Sequence, residues 1–488
     1  MSRRFLAFDL GAESGRAVLG QLTGDALSVT EVCRFPNQPV RGDGALQWDV
    51  LRLWSELRSA FDRIGTEPLD SVGVDTWGCD YALIGERGSL LENPYHYRDT
   101  RHDGAMDQVC RRIGRDALYA MTGSQIMPIN TLFQLYAASQ ATPRLLEAAT
   151  ALVMVPDLFN YWLTGQLQTE YSIASTSQMV DARTRQWARP LIAELGLPAH
   201  LLQPIVEPGT VLGPLRGGVS PRFEGTMVVA PGCHDTASAF AAVSSEGGAF
   251  LSSGTWSLLG AEISAPIMTA AAGALNFTNE GGVGGTTRFL KNIAGMWLLQ
   301  ACVRAWTTAG DAPNYEQLLN AAGDESLAFR SFFDPDHSTF FNPADMPSAI
   351  AAFCRDTGQA VPHTPAAFTR AILESLAFKY RTVMLSLEAL TGTRFSHFRI
   401  VGGGSRNRLL NQFTANATGR PVIAGPIEAT ALGNLAVQMM ATGAVGSLAE
   451  ARAIIKRSFP TERFEPINAE LWERSYSRFQ EYLEVTAA

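Results

Sequence analysis

Short apolar runs that stop at small or acidic residues set the pattern of this chain. Phe5–Phe8 is apolar throughout and ends in Asp9-Leu10-Gly11-Ala12-Glu13-Ser14-Gly15. A continuous apolar run of this length predicts a buried strand, and the small polar segment after it predicts a turn. Arg16–Leu22 then predicts a second strand, so the chain opens with a hairpin whose tip is acidic and contains glycine. Residues 248–263 repeat the device, with Ala249–Leu251, the turn Ser252-Ser253-Gly254-Thr255, and Trp256–Ile263. Gly11 and Gly254 lie 243 residues apart, half of the 488-residue chain. Repetition at that spacing predicts two related α/β halves.

Three further strands end in the same way. Ser71–Val74 leads into Asp75-Thr76-Trp77-Gly78, Met227–Ala230 into Pro231-Gly232-Cys233-His234-Asp235, and Phe398–Val401 into Gly402-Gly403-Gly404-Ser405. Ligands of open α/β sheets collect at the carboxyl ends of strands, so these ends are where a site is expected. Helical periodicity predicts helices over Val50–Ile64, Arg144–Leu163, Trp297–Trp306, Ala366–Leu390, Asn407–Thr418, Thr430–Thr442 and Leu471–Val485. Residues 207–226, rich in Gly and Pro, predict a loop. A boundary at 243–248 divides the chain into domains 1–244 and 245–488.

Composition narrows the chemistry. Hydrophobic residues make up 46% and charged residues 18%, with a net charge of −8, which is the composition of a globular protein with an ample core. No basic face is indicated, which disfavours nucleic-acid binding. No apolar run approaches the roughly 18–20 residues of a membrane span, and Asp9 interrupts the N-terminal run too early for a secretion signal. The six cysteines form no CxxC pair, and reduced thiols in the cytoplasm are expected. Lysine occurs only at Lys291, Lys379 and Lys456, none of them after a glycine. A P-loop is therefore excluded, and no GxGxxG follows the first strand.

The candidate residues each admit a structural and a chemical reading. Asp9 beside Gly11 either caps a turn or holds a metal ion near phosphates that approach the backbone amides. Ser253-Gly254-Thr255 offers hydroxyls and amides without charge, suited to phosphate or simply to a hairpin turn. Gly402–Gly404, costly in conformational entropy, allow either tight helix–strand packing or close approach of an adenosine. Asp235 is a helix cap or a general base flanked by His234 and Thr236. Asp75 and Asp80 around Trp77 and Gly78 suit a sugar site, a core tryptophan, or the paired acids of a glycoside hydrolase. The scattered histidines give no zinc motif, and Ser14 is not in a GxSxG elbow.

Taken in order, these motifs resemble the FGGY family of carbohydrate kinases. FDLGAESGR at the start, VDTWGCDY at 74–81, YRDTR at 97–101, PDLFNYWLTG at 156–165 and HDTASA at 234–239 carry the resemblance. LSSGTWSL at 251–258, LKNIAGMWLLQ at 290–300, GGGSRNRLLNQ at 402–412 and EATALGN at 428–434 extend it. The resemblance implies the two-domain actin/hexokinase-like (ribonuclease H-like) ATPase fold with a central cleft. DTWG and SSGTWS are similar to the branch acting on L-rhamnulose, which implies Mg²⁺-dependent transfer from ATP to its 1-hydroxyl, a step of rhamnose catabolism, in a cytoplasmic protein expected to be a monomer.

By the same resemblance Asp235 is the catalytic base, and Trp77, Gly78, His234 and Thr236 face the sugar. Asp9 holds Mg²⁺. Ala12, Glu13, Ser14, Gly15 and Arg16 form the first phosphate loop, and Thr255, Asn292, Gln300 and Gly403 contact the nucleotide. Glu13 departs from the small residue usual at its position. Other ketose or polyol kinases (fuculose, xylulose or ribulose) and a non-catalytic actin-like sugar sensor are the alternatives.

Overall fold

The computed structural model describes residues 2–42, 44–244 and 246–487, and side chains of the last helix through residue 483. Ser245, within the expected boundary segment, lies outside the described residues. The chain forms two compact units. The first comprises residues 1–244, 262–290 and 429–460, and the second residues 245–261, 291–428 and 461–488.

The first unit is built on a six-stranded mixed sheet in the order Val211–Pro214, Met227–Val229, Ser71–Thr76, Arg3–Leu10, Ser14–Thr23, Ala26–Pro36. Arg3–Leu10 runs antiparallel to Ser14–Thr23 and parallel to Ser71–Thr76, which runs parallel to Met227–Val229. Phe5 to Phe8 are fully buried, as expected of a central strand covered on both faces. The helix Val50–Arg63 buries Val50, Leu53, Leu57, Ala60 and Phe61 at three- and four-residue spacing, with Asp49 accepting from the Arg52 amide as its N-cap. The helix Ala429–Ala441 packs on Arg3–Leu10 and on the helix Asp235–Ala241.

One expected helix is three elements. Residues 144–163 fold as the helix Pro143–Ala148, the strand Ala149–Met154 and the helix Val155–Thr164. The strand pairs antiparallel with Tyr81–Gly85. The apolar run ATALVM satisfies either period, and the partner strand decides for β. Pro156, in the first turn of the third element, marks a new helix start.

The second unit repeats the opening topology. Gly248–Ser253 runs antiparallel to Trp256–Ile263 and parallel to His397–Val401, which continues to Val422–Ala424 and Glu462–Phe464. Each half therefore begins with a hairpin whose first strand pairs in parallel with a later strand, as the 243-residue spacing predicted. The C-terminal helix Ala469–Ala487 belongs to this unit, where Trp472 packs edge-on against Phe329 at 4.9 Å and Phe479 against Phe378 at 5.5 Å.

Candidate active site

In the first unit the parallel strands bring their carboxyl ends together. The Thr76 amide donates to the Cys233 carbonyl (2.8 Å), and the Trp77 amide to the Leu10 carbonyl (3.2 Å). Register places Arg16, Asp9 and Asp75 side by side on three adjacent strands. Arg16 grips Asp9 Oδ2 with Nε at 2.9 Å and Nη2 at 2.5 Å. Asp75 is fully buried; its Oδ2 accepts from Asn434 Nδ2 (2.6 Å), and its Oδ1 has no hydrogen-bond partner. Burial, and after it the charge of Asp9, hold the Asp75 carboxyl well above the usual carboxylate range.

The hairpin tip is held from outside. Asn37, buried at the end of the next strand, donates from Nδ2 to the Gly11 carbonyl and from its amide to the Glu13 carbonyl, both at 2.8 Å. Gly11 also donates to the Ser14 carbonyl (3.0 Å). Ala12 and Ser14 are half-buried and Glu13 is exposed, while Gly15 pairs with Phe35. Asn37 carries no chemistry of its own and sits outside every motif, which is why the sequence did not mark it.

His234-Asp235-Thr236 starts the short helix Asp235–Ala241. Asp235 is 30% exposed at its side chain, and its Oδ1 accepts from Thr236 Oγ1 (3.0 Å) and lies 3.4 Å from His234 Nε2. Burial raises the Asp235 pKa above the usual carboxylate value, the nearby His234 opposes this, and Asp9 reinforces it. The buried Glu170 anchors the segment beneath, accepting from the Cys233 amide (3.1 Å) and from Ser172 Oγ (2.6 Å); Ser172 Oγ in turn accepts from the His234 amide (3.2 Å).

Trp77 is 4% exposed, tilted against Trp48 with ring centroids 4.2 Å apart, and its Nε1 donates to Asp80 Oδ2 (2.9 Å). Trp48 Nε1 donates to the same oxygen (2.6 Å), and His96 stacks on Trp48 at 4.4 Å. Burial pushes Asp80 up to about 6. The indole of Trp77 thus belongs to an aromatic stack built around one carboxylate, and Gly78 beside it lies against Thr176.

The remaining candidates lie in the second unit. The Thr255 turn is closed by Gly254 donating to the Trp256 carbonyl, and the Thr255 carbonyl accepts from the Gly295 and Trp297 amides (3.2 and 3.1 Å). This draws the turn to the start of the helix Trp297–Thr308, whose first turns carry Gln300, and to the strand Thr287–Ala294, which carries Asn292. The glycine run is not uniform. Gly402 has φ of 81°, and a Cβ on Gly404 would fall 2.0 Å from Ser253 Oγ. Gly403 is exposed, with nothing within 4 Å of the place a Cβ would take.

Two hairpin-led α/β units, the first with acids at its strand ends, are the architecture of the actin/hexokinase-like fold. Solved structures agree: the chain superposes with a TM-score of 0.82 on a ligand-bound xylulose kinase from Lactobacillus acidophilus, at 15% identity and with 100% of this chain and 99% of that one covered. A glycerol kinase from Plasmodium falciparum with ADP gives 0.77 at 14% identity, covering 100% and 98%. The chain belongs to the FGGY family of carbohydrate kinases: residues 4–242 match the family's N-terminal domain and residues 249–442 its C-terminal domain. It is 44% identical over 487 residues to a rhamnulokinase from Bacteroides thetaiotaomicron, covering 98% of this chain and 99% of that protein. It is 41% identical over 485 residues to a rhamnulokinase from Pectobacterium carotovorum, covering 98% and 96%. Among the described residues no helix is long and apolar enough to cross a membrane.

Proposed function

We propose that this enzyme transfers the γ-phosphoryl group of ATP to the 1-hydroxyl of L-rhamnulose, giving L-rhamnulose 1-phosphate and ADP. Near-complete alignment with rhamnulokinases at 38–44% identity carries the choice of sugar. The site supports the reaction type. An alcohol is a poor nucleophile, and Asp235, with one side open to solvent and a proton affinity raised by burial, is suited to accept its proton as the P–O bond forms. His234, Thr236, Trp77 and Gly78 are assigned to the sugar.

Ala12 to Arg16, Thr255, Asn292, Gln300 and Gly403 are assigned to ATP, with residues 1–244 as the sugar-binding domain and 245–488 as the nucleotide domain. Mg²⁺, carried by ATP, would offset phosphate charge. The donor set fits it: Asp9 with the orphaned Asp75 Oδ1 beside it offers hard oxygen ligands. Among the described residues no group of three ligating side chains is arranged to grip an ion. This suits a cation held through one or two carboxylates, water and phosphate. Arg16, bound to Asp9, keeps a positive charge at the phosphate loop, where lysine is absent. All six cysteines are free thiols, which supports action in the reducing cytoplasm.

ADP release measured over a panel of ketoses and polyols with Mg·ATP tests the assignment. L-Rhamnulose should give the highest kcat/KM; a higher value for xylulose, ribulose or fuculose would replace it, and no release with any sugar would favour a sensor.

A further inference from the structure

Behind the His234 ring lies a buried ion pair that the assigned roles leave unexplained. Glu280 and Arg288 are direct cross-strand partners in the hairpin formed by Thr278–Gly281 and Thr287–Ala294. Arg288 is fully buried. Its Nε donates to the Gly281 carbonyl (2.8 Å), and its Nη2 lies 3.1 Å from Glu280 Oε2 and 3.2 Å from His234 Nδ1. Glu280 Oε2 itself lies 3.3 Å from His234 Nδ1. Asp235 and Glu170 are the other charged groups near this cluster.

We propose that Arg288 and Glu280 are positioning residues that fix His234 as the tautomer protonated on Nε2, and so aim the carboxylate of Asp235. The inference rests on Asp235 being the base of the proposed reaction. A guanidinium donates and never accepts. Nδ1 has Nη2 in hydrogen-bonding geometry, whereas Glu280 Oε2 makes no hydrogen bond to it, so a neutral ring turns its lone pair toward Arg288 and carries its hydrogen on Nε2, since the bond at one ring nitrogen sets the state of the other. Glu280 Oε2, an ion-pair partner 3.1 Å from Nη2, keeps the guanidinium charged and in place. Nε2–H then lies on the side of Asp235 Oδ1, 3.4 Å away, the oxygen that accepts from Thr236 Oγ1. Thr236 donates to Oδ1 and the His234 ring faces the same oxygen, so Oδ2 is left to take the sugar proton. The backbone of His234 is already fixed through Ser172 and Glu170, so the ring is the one remaining freedom, and Arg288 removes it.

The test has two arms. In the first, the full-length enzyme labelled with ¹⁵N-histidine is examined by NMR near neutral pH without substrate, with His234→Gln identifying the signal among the seven histidines. The expected spectrum shows His234 protonated on Nε2 and bare on Nδ1, with mixed tautomers in Arg288→Met. A wild-type ring protonated on Nδ1 overturns the proposal.

In the second arm, Glu280→Gln and Arg288→Met should lower kcat by about 10–100-fold while changing the KM for ATP by no more than about twofold. Arg288→Lys, which keeps a charged donor, should recover most of the loss. Neither change should cost more once His234 is Gln, because the effect passes through that ring. Full additivity in the His234→Gln background overturns it. Arg288 is buried, so Glu280→Gln, nearly isosteric, carries the same cycle if Arg288→Met does not fold. Wild type inactive on L-rhamnulose would defeat the proposed function and leave the tautomer result standing.

Discussion

A base works best when its proton affinity approaches that of the medium, and burial moves a carboxylate in that direction. Asp235 is placed this way, and as the proposed base it must be ionised to act. Its raised pKa means that turnover falls on acidification at a higher pH than an ordinary carboxylate near 4 would give. The acid limb of the kcat profile measures this, and a limb below about pH 4 would contradict it. Asp235→Asn keeps the size and loses the basic oxygen. Turnover should fall by about 10²–10⁴-fold with ATP affinity little changed. A variant retaining more than about a tenth of wild-type turnover would remove Asp235 from its role. Trp77→Phe tests a different property. It deletes one of the two indole donors to the buried Asp80, so a loss of about 1–3 kcal/mol in stability is expected, read by urea unfolding.

The turn 402–404 separates packing from open space within three consecutive glycines. Gly404 touches Ser253, so Gly404→Ala forces the two strand ends apart and should cost about 1–3 kcal/mol. Gly403 has open space before it, so Gly403→Val should leave the melting temperature unchanged. If the adenosine lies there, the KM for ATP rises much more than that for the sugar. Equal effects on both KM values would move the nucleotide elsewhere. The hairpin tip shows the same division, with backbone carbonyls tied down by Asn37 while the Ala12–Ser14 side chains remain at least partly exposed.

Across the whole molecule, buried carboxylates set the response to pH. Burial raises Glu170 and Glu374 to about 7 and Asp80 to about 6. A carboxyl whose folded pKa exceeds its unfolded one binds more protons when folded, so its contribution to stability shrinks as pH rises toward the folded value. His96, lowered to about 3 by burial, acts in the opposite sense, but only below its unfolded value near 6.5. Above that pH the offset from His96 fades within about a unit. The melting temperature should therefore fall between pH 6.5 and pH 8, checked by calorimetry at constant ionic strength. An unchanged melting temperature over that interval would show that these groups ionise in the folded state as easily as in the unfolded chain.

The opening hairpins, their half-chain spacing and the strand ends carrying Asp9, Asp75, Asp235 and Gly402–Gly404 were legible in the sequence, because burial period and turn chemistry are local. So were the motifs that identify the family. Local pattern could not separate strand from helix over 149–154, since a short apolar run satisfies both and only the partner strand Tyr81–Gly85 decides. Nor could it show that Gly404 answers to Ser253 and Gly403 to open space. The pairing of Arg288 with Glu280 and His234 was equally hidden, although the polar segment Asn279-Glu280-Gly281-Gly282 at a strand end was a signal that could have been read. Which buried polar group meets which depends on strand register and on contacts between residues up to hundreds of positions apart, as between Asp75 and Asn434. One-dimensional periodicity carries no record of those meetings; they exist only once the chain has folded.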